Sequence, residues 1–235
     1  MARGKEMTGS IAGVGVGPGD PELMTVKGAR LIGEAEFIAY PAPETGPSFA
    51  ADIARSYFPA GVEELAIRMN IGDGSYPKGD IYDQAAATLL DRARSGTRCV
   101  ILCEGDPFFY GSFAYLAERL APHFPLTIVP GISSIHAGAA CAGTALVHGT
   151  ETLTIVPGTM PAADMSQRLK GVESAVIMKA GRHIRTIKKV LLECDLLSRA
   201  LYLERISLPE QRIMPLVDYE GEHAPYFSLI LIRTP

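Results

Sequence analysis

Apolar residues along this chain fall in short continuous runs, and the segments between the runs have helical period. Ile11–Val16, Glu36–Tyr40, Val62–Ile67, Arg98–Cys103 and Leu126–Val129 each read as a strand. After its first residue Arg98–Cys103 is apolar without alternation, the pattern of a strand covered on both faces in a parallel sheet. The intervening segments predict helices over Pro21–Gly33, Pro47–Phe58, Ile81–Ser95 and Phe113–Ala121. Asp20 is placed to cap the first, with Pro21 in its opening position, and Asp80 and Gly96 bracket the third. Pro41 and Pro43 are expected to close the second strand. Beyond Pro130-Gly131 a helix rich in small residues, Ile132–Val147, precedes strands at Leu153–Val156, Ala175–Lys179, Ala200–Leu203 and Tyr226–Ile232. Helices at Ala163–Leu169 and Ile184–Cys194 lie among them. Alternation of this kind predicts an α/β architecture with mostly parallel sheets in two modules, residues 1–130 and 131–235.

The bulk numbers narrow the function classes. Of 235 residues, 47% are hydrophobic and 20% charged, which suits globular domains, and the formal net charge of −4 gives no general attraction to nucleic acid or an anionic membrane. The most apolar stretch, Ile132–Val147, carries Ser133, Ser134 and His136, and falls short of the roughly 18 residues a membrane span requires. Met1–Ser10 has no apolar core of the kind an export signal needs, so a cytoplasmic location is expected. Cys99, Cys103, Cys141 and Cys194 include no CxxC pair and are expected as buried free thiols. The five histidines are scattered, with neither HxxxH nor HExxH, and no metal site is expected.

Three turns carry the candidate chemistry. Gly13-Val14-Gly15-Val16-Gly17-Pro18-Gly19-Asp20 leaves the first strand with glycine at every second position, so backbone can approach a ligand closely. A dinucleotide site would require GxGxxG and an acid at the end of the second strand, but that strand ends in Tyr40-Pro41. A phosphate-binding P-loop would require Gly-Lys-Ser/Thr, which is missing. The second turn, Cys103-Glu104-Gly105-Asp106-Pro107-Phe108-Phe109-Tyr110-Gly111, follows the most apolar strand; it reads as an ordinary capped turn or as a ligand loop with flat aromatic surface. The third, Pro130-Gly131-Ile132-Ser133-Ser134, places two hydroxyls at a helix start, for capping or for a polar ligand. It is not a hydrolase elbow, because Ile135 stands where GxSxG has its last glycine.

In this order the three turns resemble the tetrapyrrole methyltransferase family. The likeness rests on Gly15-Val16-Gly17-Pro18-Gly19-Asp20 with Leu23 and Thr25, on Gly105-Asp106-Pro107, and on Pro130-Gly131-Ile132-Ser133-Ser134, and it extends from about residue 10 to 233. It implies two α/β domains, the first sheet mostly parallel and the second mixed, with a cleft for S-adenosylmethionine between them. It further implies cofactor contacts at Pro18, Glu104, Gly105, Asp106, Phe109, Tyr110, Ser133, Ser134 and Met178, and at Ile206 through its backbone. The phrases Gly19–Thr25, Cys103–Ser112, Val176–Lys179 with Gly181-Arg182, and Gln211–Ile213 are most similar to members that methylate precorrin-2 at C20 to give precorrin-3A in cobalamin biosynthesis. Methylation of cobalt-factor II at the same carbon is the alternative, and RNA or translation-factor methylation a more distant one. By the family's habit a homodimer is expected.

Methyl transfer from a sulfonium is an in-line displacement that orientation can accelerate, followed by loss of the bridge proton. Candidate proton acceptors are Asp106, Tyr110 and His136. Gly15 and Gly17 would leave room for a flat substrate. A carboxylate-rich tetrapyrrole calls for cations, and Arg182, His183, Arg185, Lys188 and Lys189 form a dense group that reads either as its trough or as a solvated helix face. Arg68 and Lys78 are further candidates.

Overall fold

In the computed structural model, residues 9–69 and 79–233 are described; Lys78 lies outside them. The chain runs β1 (Ser10–Gly15), α1 (Val26–Gly33), β2 (Phe37–Pro43), α2 (Phe49–Ala54), β3 (Glu63–Met69), α3 (Gly79–Arg94), β4 (Arg98–Cys103), α4 (Phe113–Leu120) and β5 (Leu126–Val129). It continues through α5 (Ser134–Cys141), β6 (Leu153–Pro157), α6 (Ala162–Leu169), β7 (Ser174–Met178), α7 (Ile184–Glu193), β8 (Ala200–Glu204), β9 (Arg212–Pro215) and β10 (Ser228–Arg233). It divides into two units, Met1–Ser133 and Ser134–Pro235.

The first unit is a parallel sheet in the order β3-β2-β4-β1-β5. Strand period sorts its core. Ile11, Cys99, Ile101 and Cys103 face α3 and α4, while Ala12, Val14, Val100 and Leu102 face the side of α1 and α2. Burial pushes the Cys103 thiol up to about 12, so it is held as a neutral thiol. Gly13 lies on the α4 side, where a β-carbon would come within 2.3 Å of the Phe113 ring.

The second unit is a mixed sheet, β6-β7-β10-β8-β9, in which β6 and β7 are parallel and the other pairings antiparallel. Its larger core packs Ile177, Tyr202 and Ile230 with Met165 and Leu169 of α6 and Ile184, Ile187, Val190 and Leu191 of α7. Gly138 of α5 lies on the other side, where a β-carbon would come within 2.9 Å of Leu203 Cδ2.

Several elements differ from the sequence expectation. The helix predicted over Pro21–Gly33 is two pieces. Asp20 caps a short 3₁₀ turn by accepting from Glu22 N–H at 2.8 Å, and Thr25 starts α1 afresh by accepting from Gly28 N–H at 3.1 Å. The second strand runs through Pro41 and Pro43 because its pairing with β4 has ended at Ala39, so a missing N–H costs nothing on that side. There the buried Ser48 hydroxyl donates to Pro41 O at 2.6 Å. The small-residue helix is shorter than expected. After Cys141 the chain turns at Gly143, whose φ of +62° is a helix-ending conformation. Cys141 is exposed, not buried. The edge strand β9 was not foreseen, since Arg212–Pro215 is too short to show alternation. Among the described residues, no helix is long and apolar enough to cross a membrane.

Candidate functional site

Strand order decides which turns meet. β4 and β5 flank β1, so the turns that leave these three strands emerge side by side at their carboxyl ends, where open α/β sheets bind ligands. Val16 N–H donates to Cys103 O at 2.9 Å, and the chain then pairs glycine with glycine. Gly105 N–H donates to Gly17 O at 2.8 Å and Gly17 N–H to Gly105 O at 3.4 Å, with φ of +84° at Gly17 and +63° at Gly105. The third turn packs against both. A β-carbon on Gly131 would lie 2.0 Å from Gly105 O and 2.8 Å from Gly15 Cα, and one on Gly15 would lie 2.5 Å from Gly105 O. These glycines let three backbones touch.

Asp106 fastens the arrangement. Its Oδ1 accepts from Phe108 N–H at 2.9 Å within its own turn, and its Oδ2 accepts from Gly131 N–H at 3.2 Å across to the third. The side chain nominated as a proton acceptor therefore already accepts two backbone hydrogen bonds. Phe109 and Tyr110 stand edge to face, ring centroids 5.1 Å apart, and Tyr110 is held at φ +56° with its side chain exposed. Pro18 is half-buried beside the glycine pair, and Ser133 is buried where the third turn ends.

Glu104 is the carboxylate of the second turn with the strongest environmental effect. Burial raises its carboxyl from 4.5 to about 7, against the opposing pull of backbone N–H groups from Glu104 itself and from Ala50 in the first turn of α2. A sequence reading had no signal for this, because Ala50 lies more than fifty positions earlier and approaches only through the sheet order.

The remaining nominated residues scatter. Arg68 sits on the edge strand β3, and its guanidinium donates to Pro43 O at 2.9 Å and Gly46 O at 3.3 Å, holding the loop after β2. Gly15 is occupied by contact between turns, so the room foreseen for a flat substrate is filled by Gly105 and Gly131 backbone. In the second unit, Ser134 opens α5 and His136 is exposed on it. Met178 ends β7 and Ile206 follows β8; both lie at the same end of the sheet, with Ser228 at the start of β10 between the two strands. Among the cations, Arg185 pairs with Glu222, Lys189 with Glu193 at 4.0 Å, and Lys188 donates to Tyr219 O at 2.8 Å. Arg182 is exposed in the turn after β7. Among the described residues, no cluster of three His, Cys, Asp or Glu could hold a metal ion.

Comparison with known proteins is consistent across sequence and structure. A sequence model of tetrapyrrole (corrin/porphyrin) methylases matches residues 10–217. The chain is 38% identical over 232 residues to the cobalamin biosynthesis protein CobIJ of Mycobacterium tuberculosis, covering 95% of this chain but 46% of that protein. It thus spans about half the length of the first curated relatives it matches. It is 35% identical to a precorrin-2 C(20)-methyltransferase of Sinorhizobium, covering 95% of both chains, and 30% identical to a cobalt-precorrin-2 C(20)-methyltransferase of Salmonella typhimurium, covering 97% of both. Among solved structures, uroporphyrin-III C-methyltransferase of Thermus thermophilus, complexed with S-adenosyl homocysteine, matches with a TM-score of 0.71 at 26% identity, over 96% of this chain and 97% of that one. A cobalt precorrin-4 methyltransferase shares the fold with a TM-score of 0.74 at 21% identity, over 99% and 97%.

Proposed function

Because the chain belongs to the tetrapyrrole (corrin/porphyrin) methylase family, we propose that it methylates precorrin-2 at C20, with S-adenosylmethionine as donor, giving precorrin-3A in cobalamin biosynthesis. The observation that carries this is the joined set of turns around Gly17, Gly105 and Gly131, fastened by Asp106. The likeness to a precorrin-2 C(20)-methyltransferase, over 95% of both chains, supports the choice of substrate.

The residues suit the donor. The paired glycines at 17 and 105 offer backbone without side chains, Phe109 and Tyr110 give flat apolar surface, and Glu104 supplies a carboxyl that a cation would draw toward its ionised form. Bound there, S-adenosylmethionine supplies an electrophilic methyl. The chain's part is to hold both partners in line and exclude water, which is where most of the rate of such a displacement can arise. Pro18, Ser133, Ser134, Met178 and the backbone of Ile206 complete the proposed cofactor set. Arg182 is the proposed partner for substrate carboxylates. Tyr110 and His136 remain the proposed acceptors of the bridge proton, since both Asp106 oxygens already accept from backbone.

The likeness to a cobalt-precorrin-2 enzyme supports a second reading in which the ring carries cobalt. Incubation with methyl-labelled S-adenosylmethionine and precorrin-2, with and without chelated cobalt, separates the two. Label at C20 of the metal-free ring is expected; transfer only to the cobalt form would select the second reading, and transfer to neither would reject both.

A further inference from the structure

The second unit contains a strained turn outside the three already described. Arg205 has φ +50° and Ser207 φ +66°, so two non-glycine residues in the left-handed region flank Ile206. Such conformations persist only where the surroundings fix them, and they concentrate at sites that need a set backbone.

Here the fixing groups can be named. Arg205 N–H donates to Phe227 O at 2.9 Å, Ser207 N–H to Gln211 Oε1 at 2.8 Å, Leu208 N–H to Arg205 O at 3.1 Å, and Gln211 N–H to Leu208 O at 3.0 Å. On the strand side, buried Glu204 accepts from the Tyr202 hydroxyl at 2.7 Å and faces Arg212 at 3.6 Å. Within this frame Ile206 is buried, its side chain directed toward Gly138 of α5, where a β-carbon would lie 3.9 Å from Ile206 Cγ1. Among the described residues, neither the N–H nor the C=O of Ile206 has a hydrogen-bond partner. Backbone groups of a buried residue that find no partner among the described residues are suited to take a ligand.

We propose that Gln211 is a positioning residue: by holding the Ser207 amide it sets the turn so that the Ile206 backbone meets the cofactor. This rests on the reading of Ile206 as a cofactor contact. Gln211 does the holding from the loop before β9, and a side-chain carbonyl can do so where a backbone carbonyl would need a further strand.

Titration calorimetry of the full chain with S-adenosylhomocysteine, alongside thermal unfolding, tests it. Gln211→Ala is expected to weaken binding by about fivefold or more, the loss of one well-placed hydrogen bond, while Gln211→Glu, which keeps an accepting oxygen, stays within about twofold. Gln211→Met, of similar length with no accepting oxygen, provides the same comparison should the alanine variant fail to fold. Undiminished affinity in a folded Ala or Met variant would overturn the proposal, as would equal losses for Glu and Ala; a lowered melting temperature with unchanged affinity would mark Gln211 as structural only. Failure of the unsubstituted chain to bind S-adenosylhomocysteine would instead remove the cofactor reading beneath it.

Discussion

Single atoms decide how closely the three turns of the first unit approach. At Gly131 the space for a β-carbon is taken from two sides by backbone, at 2.0 Å from Gly105 O and 2.8 Å from Gly15 Cα. Backbone cannot rotate away as a side chain can, so Gly131→Ala is expected to destabilise the chain by about 2–3 kcal/mol. The check is the chemical denaturation midpoint, with S-adenosylhomocysteine affinity falling in parallel. Gly13→Ala drives its β-carbon into the ring of the buried Phe113 and is expected to be destabilising through overpacking as well. Asp106→Asn looks mild but is not. One side-chain oxygen cannot serve both Phe108 N–H and Gly131 N–H, and the amide nitrogen would confront one of these donors. A loss of about 1–3 kcal/mol is expected, readable as a lowered melting temperature. Asp106→Ala, which loses both contacts, should lie further in the same direction.

At the scale of elements, the turn after β4 brings Glu104 to the first turn of α2, and burial there favours the protonated carboxyl. The folded-state value of about 7 lies above the ordinary 4.5, so the folded chain binds more protons than the unfolded one between these limits. This contribution to stability is complete below 4.5, declines as pH rises through about 7, and is constant above that. Glu104→Gln should flatten that decline, which denaturation midpoints measured across the interval would reveal; an unchanged slope would place the titrating group elsewhere. The segment after β7 gives a second element-scale expectation. Arg182 lies exposed in that turn, and Arg182→Ala tests whether it meets the substrate carboxylates. It should weaken tetrapyrrole binding and leave S-adenosylhomocysteine affinity unaltered, measured by absorbance titration and calorimetry respectively.

For the whole molecule, a ligand held only by the folded chain must stabilise it by mass action. At a hundredfold excess over its dissociation constant, S-adenosylhomocysteine should add about 2.7 kcal/mol and raise the melting temperature by roughly 5–10 °C. No shift would count against the cofactor assignment. Much at this scale was legible along the chain. The apolar run at Arg98–Cys103 is the observed β4, because a central strand buried between helix layers leaves an unbroken hydrophobic signature, and the run at Leu126–Val129 is the edge strand β5. The edge strand β9 left no such signal, and the break at Thr25 was masked by a continuous helical pattern around it. The three turns themselves were visible as glycine and proline spacing, since positive φ and close approach restrict residue choice locally. Their meeting was not. It follows from β4 entering the sheet beside β1, a long-range pairing with no local signature. The sequence alone therefore determined nine of the ten strands among the described residues, the turns and the family likeness, all of which are set by neighbouring residues or by their order. Only the tertiary structure decided that Gly15 and Gly131 serve backbone packing, that Asp106 is a fastener, and that Glu104 is held near neutrality, because each depends on groups distant in the chain.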